Sequence, residues 1–144
     1  METNILRVLS YNLTAATPVL FLQRLASDME MDEESHSLSL YLAEISTQEL
    51  SYTTYTPSQI ALSSAILALH TKEKLVVPII SHLVAEWGLG PSQIQSCVLE
   101  LHRTHARFQS ASRGLQASYI KFSTPRFQSV SLLQPSQFPP YIEV

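Results

Sequence analysis

The stretch TPSQIALSSAILALH, residues 56–70, decides the fold. It carries no charged side chain between Ile60 and Leu69, and its apolar residues fall on every side of a helix. Thr56 suits the N-cap position and Pro57 suits the first helical position, so the start of the helix is well marked. A helix that is apolar all round is enclosed by other elements, and this one is too short to cross a bilayer. The stretch therefore predicts a buried central helix.

Helical periodicity extends to both sides of this stretch. Main helices are predicted over residues 13–29, 32–50, 57–70, 77–90 and 91–108, after a short helix at 2–11. Residues 51–55 are expected to form a loop, 115–122 a last helical turn or two, and the segment from 128 onward an extended Pro-rich tail. Neither strand alternation nor a hairpin signal is present. The predicted fold is all-α, a compact five-helix bundle around a buried central helix.

Composition excludes several classes of protein. With 144 residues, 45% of them apolar, the chain is expected to form one domain with a real core. A net charge of −3 gives no general case for nucleic-acid binding, and three glycines leave little room for a phosphate-binding loop. The single cysteine, Cys97, excludes an internal disulfide framework and suits a reducing compartment. Because residues 1–13 lack the features of a signal peptide, an intracellular protein is expected.

Charge is unevenly distributed along the sequence. Residues 25–71 contain no Lys or Arg, and they carry Asp28, Glu30, Asp32, Glu33, Glu34, Glu44 and Glu49. Residues 101–142 contain no Asp or Glu, and they carry Arg103, Arg107, Arg113, Lys121 and Arg126. We expect the two ends of the domain to differ in polarity. This pattern is typical either of solvated helix faces or of a surface for a partner with two oppositely charged faces.

Residues 41–69, YLAEISTQELSYTTYTPSQIALSSAILAL, resemble the second cyclin box of A/B-type mitotic cyclins. The shared pattern is an aromatic-Leu helix, a loop, Tyr-x-Pro-Ser and an Ala-rich buried helix. Residues 1–24, METNILRVLSYNLTAATPVLFLQR, are similar to the last helix of the family's first box and the first helix of its second. Residues 119–133, YIKFSTPRFQSVSLL, are similar to the closing element of the second box.

The resemblance implies a domain organisation and a function. Residues 1–13 would end the helix that links from a first cyclin box, 14–130 would form the C-terminal box, and 131–144 the tail. The implied protein is a non-catalytic regulatory subunit of a cyclin-dependent serine/threonine kinase in the nucleus and cytoplasm. It would contact the kinase through a first box that is not in this chain, and it would need no cofactor. The alternative is a free-standing helical adaptor that does not activate a kinase.

Candidate interaction residues follow from charge and from the resemblance. We expect protein partners at Arg103, Arg107, Arg113, Lys121, Arg126, Ile5 and Leu9. Ile5, Leu6, Val8 and Leu9 belong to a helix between the two boxes of a whole cyclin, so an isolated second box should expose them and self-associate. His36 matches one residue of a phosphate pocket in B-type relatives. Gln23 and Leu40, however, stand where that pocket has Arg and Lys.

Other candidate chemistry is weak. His102 and His105 could share a metal near Cys97, but a zinc site needs three or four ligands and no second pair supports this one, so an inward His105 and a surface His102 are expected and no metal site is predicted. His82 and Glu86 fit an i, i+4 contact without a nucleophile, so no enzymatic activity is predicted. Thr-Pro pairs occur at Thr17, Thr56 and Thr124. We expect the first two hydroxyls to cap helices, which leaves Thr124 as the candidate phosphorylation site.

Overall fold

The structure is a computed structural model that describes residues 1–12, 14–75, 77–110 and 117–142. The α-helices in these ranges are α1 (Glu2–Val8), α2 (Pro18–Asp28), α3 (Glu33–Ser46), α4 (Pro57–Thr71), α5 (Val77–Glu86), α6 (Pro91–Ser110) and α7 (Ala117–Phe122). One 3-10 turn, Leu50–Thr54, lies between α3 and α4, and two more, Pro125–Phe127 and Val130–Leu132, come after α7. No strand occurs in the described ranges, so the predicted all-α class is confirmed. The five predicted main helices correspond to α2–α6, and α1 and α7 are shorter.

Helix α4 lies at the centre of the fold. Its residues from Gln59 to Leu69 are buried, and it packs against α2, α3 and α6. The Thr56 hydroxyl accepts from the Gln59 backbone N–H (3.3 Å), and Gln59 Oε1 accepts from the Thr56 N–H (2.9 Å), so the helix begins with a complete capping box. Small residues such as Ala61 and Ala65 let the neighbouring helices approach closely. The predicted buried central helix is confirmed.

The helix ends show where local sequence decides the chain direction. α5 is followed by Gly88 at φ +60°, and the Leu89 N–H donates to the Val84 carbonyl (3.0 Å), so Gly88 rather than Gly90 ends this helix. α1 ends three residues earlier than predicted, at Val8. Ser10 and Tyr11 then adopt the left-handed region without a glycine.

The segment predicted as a loop at 51–55 is instead part of a 3-10 turn, Leu50–Thr54. Tyr52 in this turn is buried, and its hydroxyl lies 2.9 Å from the Thr104 hydroxyl on α6. A buried phenol needs a polar partner, and this long-range contact fixes the turn. The loop prediction is wrong here because the turn is fixed by the contact of Tyr52 with Thr104, and Thr104 lies on a helix that is distant along the sequence.

The end of the described chain packs along α6. His102 Nε2 lies 2.7 Å from the Ser136 carbonyl oxygen, and Gln95 Nε2 donates to the Pro140 carbonyl (3.2 Å). The Ile142 N–H donates to Gln95 Oε1 (2.8 Å), and the Ile142 side chain is buried. These contacts attach residues 134–142 to the helical bundle. No helix in the described ranges is both long and apolar enough to cross a membrane.

Candidate protein-interaction surfaces

Helix α1 presents apolar side chains to solvent. Ile5 is 55% exposed, Val8 84% and Leu9 45%, and none of the residues of α1 is buried. A seven-residue helix is too short to be held by its own hydrogen bonds, so its stability depends on contacts made by its side chains. We call the exposed side chains of Ile5, Val8 and Leu9 the α1 face. Contiguous exposed apolar surface of this kind marks interaction sites.

An apolar groove lies between the start of α2, the middle of α3 and α7. It has a volume of about 390 Å³ and is lined chiefly by Pro18, Val19, Leu40, Ala43, Phe122 and Phe127. Sequence reasoning missed this groove. No local signal reveals it, because its lining residues come from opposite ends of the chain and meet only in the folded state.

A charged pair forms the rim of the apolar groove. Lys121 Nζ donates to Glu44 Oε2, and the Ser118 hydroxyl donates to Glu44 Oε1 (2.9 Å). The Lys121 ammonium also lies 5.0 Å from the centroid of the Phe122 ring and 5.8 Å from that of Phe127. Lys121 therefore joins the carboxylate of α3 to the aromatic wall of the groove.

Arg103 and Arg107 lie together in a polar cavity on α6. The cavity has a volume of about 550 Å³, and Glu49, Tyr55 and Glu100 also line it. Arg107 Nη2 donates to Glu49 Oε1 at 2.7 Å, and the Tyr55 hydroxyl donates to Glu100 Oε2 at 3.1 Å. The cavity mixes both signs of charge, so its walls do not select an anion over a cation.

The sequence predicted that acidic and basic residues would lie at different ends of the domain. This prediction is wrong for two acidic and two basic residues, which form ion pairs with each other. Glu49 and Glu44, from the acidic stretch, pair with Arg107 and Lys121, from the basic stretch. The fold brings the two stretches together because α6 and α7 both pack against α3. Arg126 is exposed beside Phe127, its Cζ 5.6 Å from the ring centroid. Arg113 lies outside the described residues.

His36 lies near the acidic start of α3. Its Nε2 is buried without a hydrogen-bond partner, and burial lowers the pKa of the imidazole. Asp32 caps this helix and pairs with Lys74 (2.7 Å); the hydrogen bonds from Lys74 and Ser35 lower the pKa of Asp32 to about 2. Glu34 pairs with Lys72 at 2.7 Å. A neutral imidazole beside ionised carboxylates is a poor phosphate contact, and phosphate binding at His36 stays a weak prediction.

His105 and Cys97 on α6 face the core. His105 is fully buried, as predicted; burial lowers its pKa to about 4, His102 adds to this, and the Leu133 backbone partly offsets it. Burial raises the pKa of the Cys97 thiol to about 12, so no thiolate forms near neutral pH. In the described part of the chain, no three His, Cys, Asp or Glu side chains come together as a metal site.

His82 and Glu86 lie one turn apart on α5, at the surface. His82 Nδ1 is 3.8 Å from Glu86 Oε2, which is the predicted i, i+4 contact. Glu86 also accepts from Arg24 Nη2 at 2.8 Å. The carboxylate thus joins α5 to α2, and it acts as a structural contact between these helices.

The three Thr-Pro pairs have different surroundings. The Thr56 hydroxyl caps α4, as predicted. The Thr17 hydroxyl makes no capping hydrogen bond at the start of α2, so the prediction that it caps this helix is wrong. The sequence signal for the start of α2 is therefore Pro18 at the first helical position. Thr124 is exposed, and its hydroxyl donates to the Lys121 carbonyl at 2.8 Å.

Comparison with known proteins places this fold in a family. The family model described as "Cyclin, C-terminal domain" matches residues 16–136. Cyclin-A1 of Carassius auratus is 33% identical over 94% of this chain and 34% of its own length. Cyclin-B1-5 of Oryza sativa subsp. japonica is 29% identical over 94% of this chain and 30% of its own. G2/mitotic-specific cyclin-B of Dictyostelium discoideum is 29% identical over 96% of this chain and 31% of its own length.

The chain spans about a third of the length of these relatives. The family model covers the five main helices α2–α6, with the buried α4 at their centre, and also α7. This match agrees with the resemblance of residues 41–69 to the second box of A/B-type cyclins. The chain therefore belongs to the family of cyclin C-terminal domains.

Proposed function

We propose that this chain is the C-terminal cyclin box of a mitotic-type cyclin. In this role it is a non-catalytic part of the regulatory subunit of a cyclin-dependent serine/threonine kinase, and it acts in cell-cycle control in the nucleus and cytoplasm. The match of the cyclin C-terminal domain to residues 16–136 carries the proposal. The A- and B-type cyclin names of its relatives support the mitotic type.

The mechanistic role of this box is support and docking. A core built around α4 gives a rigid body, because close-packed interiors transmit strain rather than absorb it. The α1 face is the surface that we assign to the first cyclin box, which carries the main contact with the kinase. Arg103, Arg107, Lys121 and Arg126 are assigned to substrate or regulator proteins, with Arg103 and Arg126 the more accessible since the other two pair with carboxylates.

A chimeric cyclin tests the proposal. The C-terminal third of Carassius auratus cyclin-A1 that matches this chain is replaced by residues 1–144, and binding and activation of a purified cyclin-dependent kinase are measured. We expect the chimera to activate the kinase more strongly than the N-terminal part of cyclin-A1 alone. This chain by itself should neither bind nor activate the kinase.

A matched control separates function from folding. In the same chimera, Leu62→Asp places a carboxylate at a fully buried position of α4, and it should abolish the gain in activity together with the cooperative unfolding transition. A folded chimera that binds the kinase but adds no activation would contradict the proposal in favour of a helical adaptor. Stable binding of the kinase to this chain alone would contradict the assignment of the kinase contact to the first box.

A further inference from the structure

The segment from Thr124 to Ser129 is a short, strained turn at the surface. The Phe127 and Ser129 N–H groups both donate to the Thr124 carbonyl, at 3.0 and 3.1 Å. Gln128 and Ser129 lie at φ +55° and +53°, the left-handed region that is unfavourable for residues other than glycine. Opening this turn breaks a few exposed hydrogen bonds and part of the packing of Phe127, whose ring centroid is 4.6 Å from that of Phe122, and it relieves two unfavourable backbone conformations. It therefore opens more easily than the first turn of a long helix.

The other two Thr-Pro pairs are held by longer helices. Thr56 is part of the capping box of α4, and the helix is buried from Gln59 onward, so moving its first turn disturbs the core. Thr17 is followed directly by the eleven residues of α2. Proline-directed kinases must fit the hydroxyl and the following proline into an active-site cleft. Of the three sites, Thr124 presents them with the smallest loss of structure.

The charges around Thr124 favour a phosphoryl group there. Lys121 is three residues before Thr124, and its carbonyl already accepts from the Thr124 hydroxyl (2.8 Å). Arg126 is two residues after it and exposed. Along the sequence, no Lys or Arg lies within five residues of Thr17 or Thr56; in the fold, Lys121 lines the apolar groove that Thr17 also lines, and Arg126 does not line it. A phosphothreonine carries a charge of about −1.5 to −2 near neutral pH, and it is stabilised by Arg and Lys close by.

We propose that Thr124 is a phosphorylation site for a proline-directed serine/threonine kinase, and that Arg126 and Lys121 bind the phosphate. Thr124 Oγ1 attacks the γ-phosphorus of ATP, the bond to the bridging oxygen of ADP breaks, and the hydroxyl proton goes to the kinase base. The new charge draws the Lys121 ammonium from Glu44, which keeps its hydrogen bond from Ser118. The rim of the apolar groove thereby becomes more acidic. This proposal does not depend on the proposed cyclin function.

Phosphate mapping on the full chain tests the site. The protein is incubated with a purified mitogen-activated protein kinase and Mg-ATP, and the modified residue is located by tandem mass spectrometry. We expect incorporation mainly at Thr124, and Thr124→Ala should lower total incorporation at least tenfold. Thr17→Ala is the matched control, because that hydroxyl makes no capping bond, and it should leave incorporation unchanged. Dominant incorporation at Thr17 or Thr56, or none while a standard substrate is phosphorylated, would overturn the proposal.

Phosphorus NMR tests the charge partners. In the phosphorylated protein the phosphate should titrate below the ordinary second pKa of about 6, because neighbouring cations favour the dianion. Arg126→Gln should raise this midpoint, and Arg107→Gln, whose side chain pairs with Glu49, should not. An unchanged midpoint in both Arg126→Gln and Lys121→Gln would disprove the proposed phosphate contacts.

Discussion

His105 is a buried residue whose ionisation affects stability below neutral pH. Its imidazole packs edge-on against Tyr41 of α3, with ring centroids 5.9 Å apart, and burial lowers its pKa to about 4. The position of His105 on α6 predicted that it faces inward. Its pKa could not be predicted from the sequence, because the pKa depends on α3 and on the Leu133 segment, which are distant along the chain.

We expect the protein to lose stability between pH 7 and pH 5. In this range the unfolded chain, with a His pKa near 6.5, binds a proton that the folded state excludes, so the free energy of unfolding falls as the pH falls. The loss due to His105 is about 2 kcal/mol. Urea unfolding at the two pH values should show a smaller loss for His105→Gln than for the wild type.

Three other groups provide the control and limit the pH range of this prediction. His82→Gln should keep the full pH dependence, since that side chain is 79% exposed. His36, whose pKa is also lowered, leaves some pH dependence of the same sign in His105→Gln. Asp32 acts only at lower pH, where its stabilisation is lost as the pH falls from about 4 toward 2. An equal loss in His105→Gln and the wild type would contradict the assignment.

At the scale of the helices, capping residues allowed helix starts to be predicted from the sequence. Thr56 with Pro57 and Asp32 with the two following glutamates mark the starts of α4 and α3, because the capping groups lie within three residues of the amides they satisfy. The 3-10 turn Leu50–Thr54 was missed, since Tyr52 finds its partner on α6. The early end of α1 was missed as well, because no glycine marks the left-handed residues after it.

The α1 face should cause self-association of this chain. Ile5→Asp with Val8→Asp places two carboxylates on one side of α1. Removing two apolar contacts of about 1.5–3 kcal/mol each should raise the dissociation constant of the dimer at least about tenfold. Sedimentation velocity over a range of protein concentrations measures this. Thr3→Asp with Asn4→Asp adds the same charge at exposed polar positions, and it should have a smaller effect. A wild-type protein that stays monomeric at high concentration would contradict the prediction.

At the scale of the whole molecule, burial was predictable and long-range pairing was not. Residues 56–70 are apolar on every side, and that pattern alone required helices around them. The pairs Glu49–Arg107 and Glu44–Lys121 join residues 58 and 77 positions apart, so neither followed from the charge of its own stretch. The apolar groove also depends on the packing of α2, α3 and α7 and was not predictable. Partner binding at the basic residues stays a prediction.

A matched pair of leucines tests the central position of α4. Leu62 is completely buried in α4, and Leu50 is 88% exposed. Leu62→Ala should lower the free energy of unfolding by about 2–5 kcal/mol, because it removes buried apolar surface and leaves a cavity. Leu50→Ala should change it by less than about 0.5 kcal/mol. Both values come from urea unfolding at pH 7, and equal losses in the two variants would contradict a central α4.

The central place of α4 also has a consequence for synthesis on the ribosome. Its neighbours α2 and α3 precede it in the chain, but α6 follows it and ends 39 residues after Thr71, at Ser110. At a synthesis rate of about 5–20 residues per second, the side of α4 that packs against α6 stays uncovered for roughly 2–8 seconds, until α6 has been made. During that interval the nascent chain exposes a helix that has no charged residue between Ile60 and Leu69, and holding chaperones should bind there.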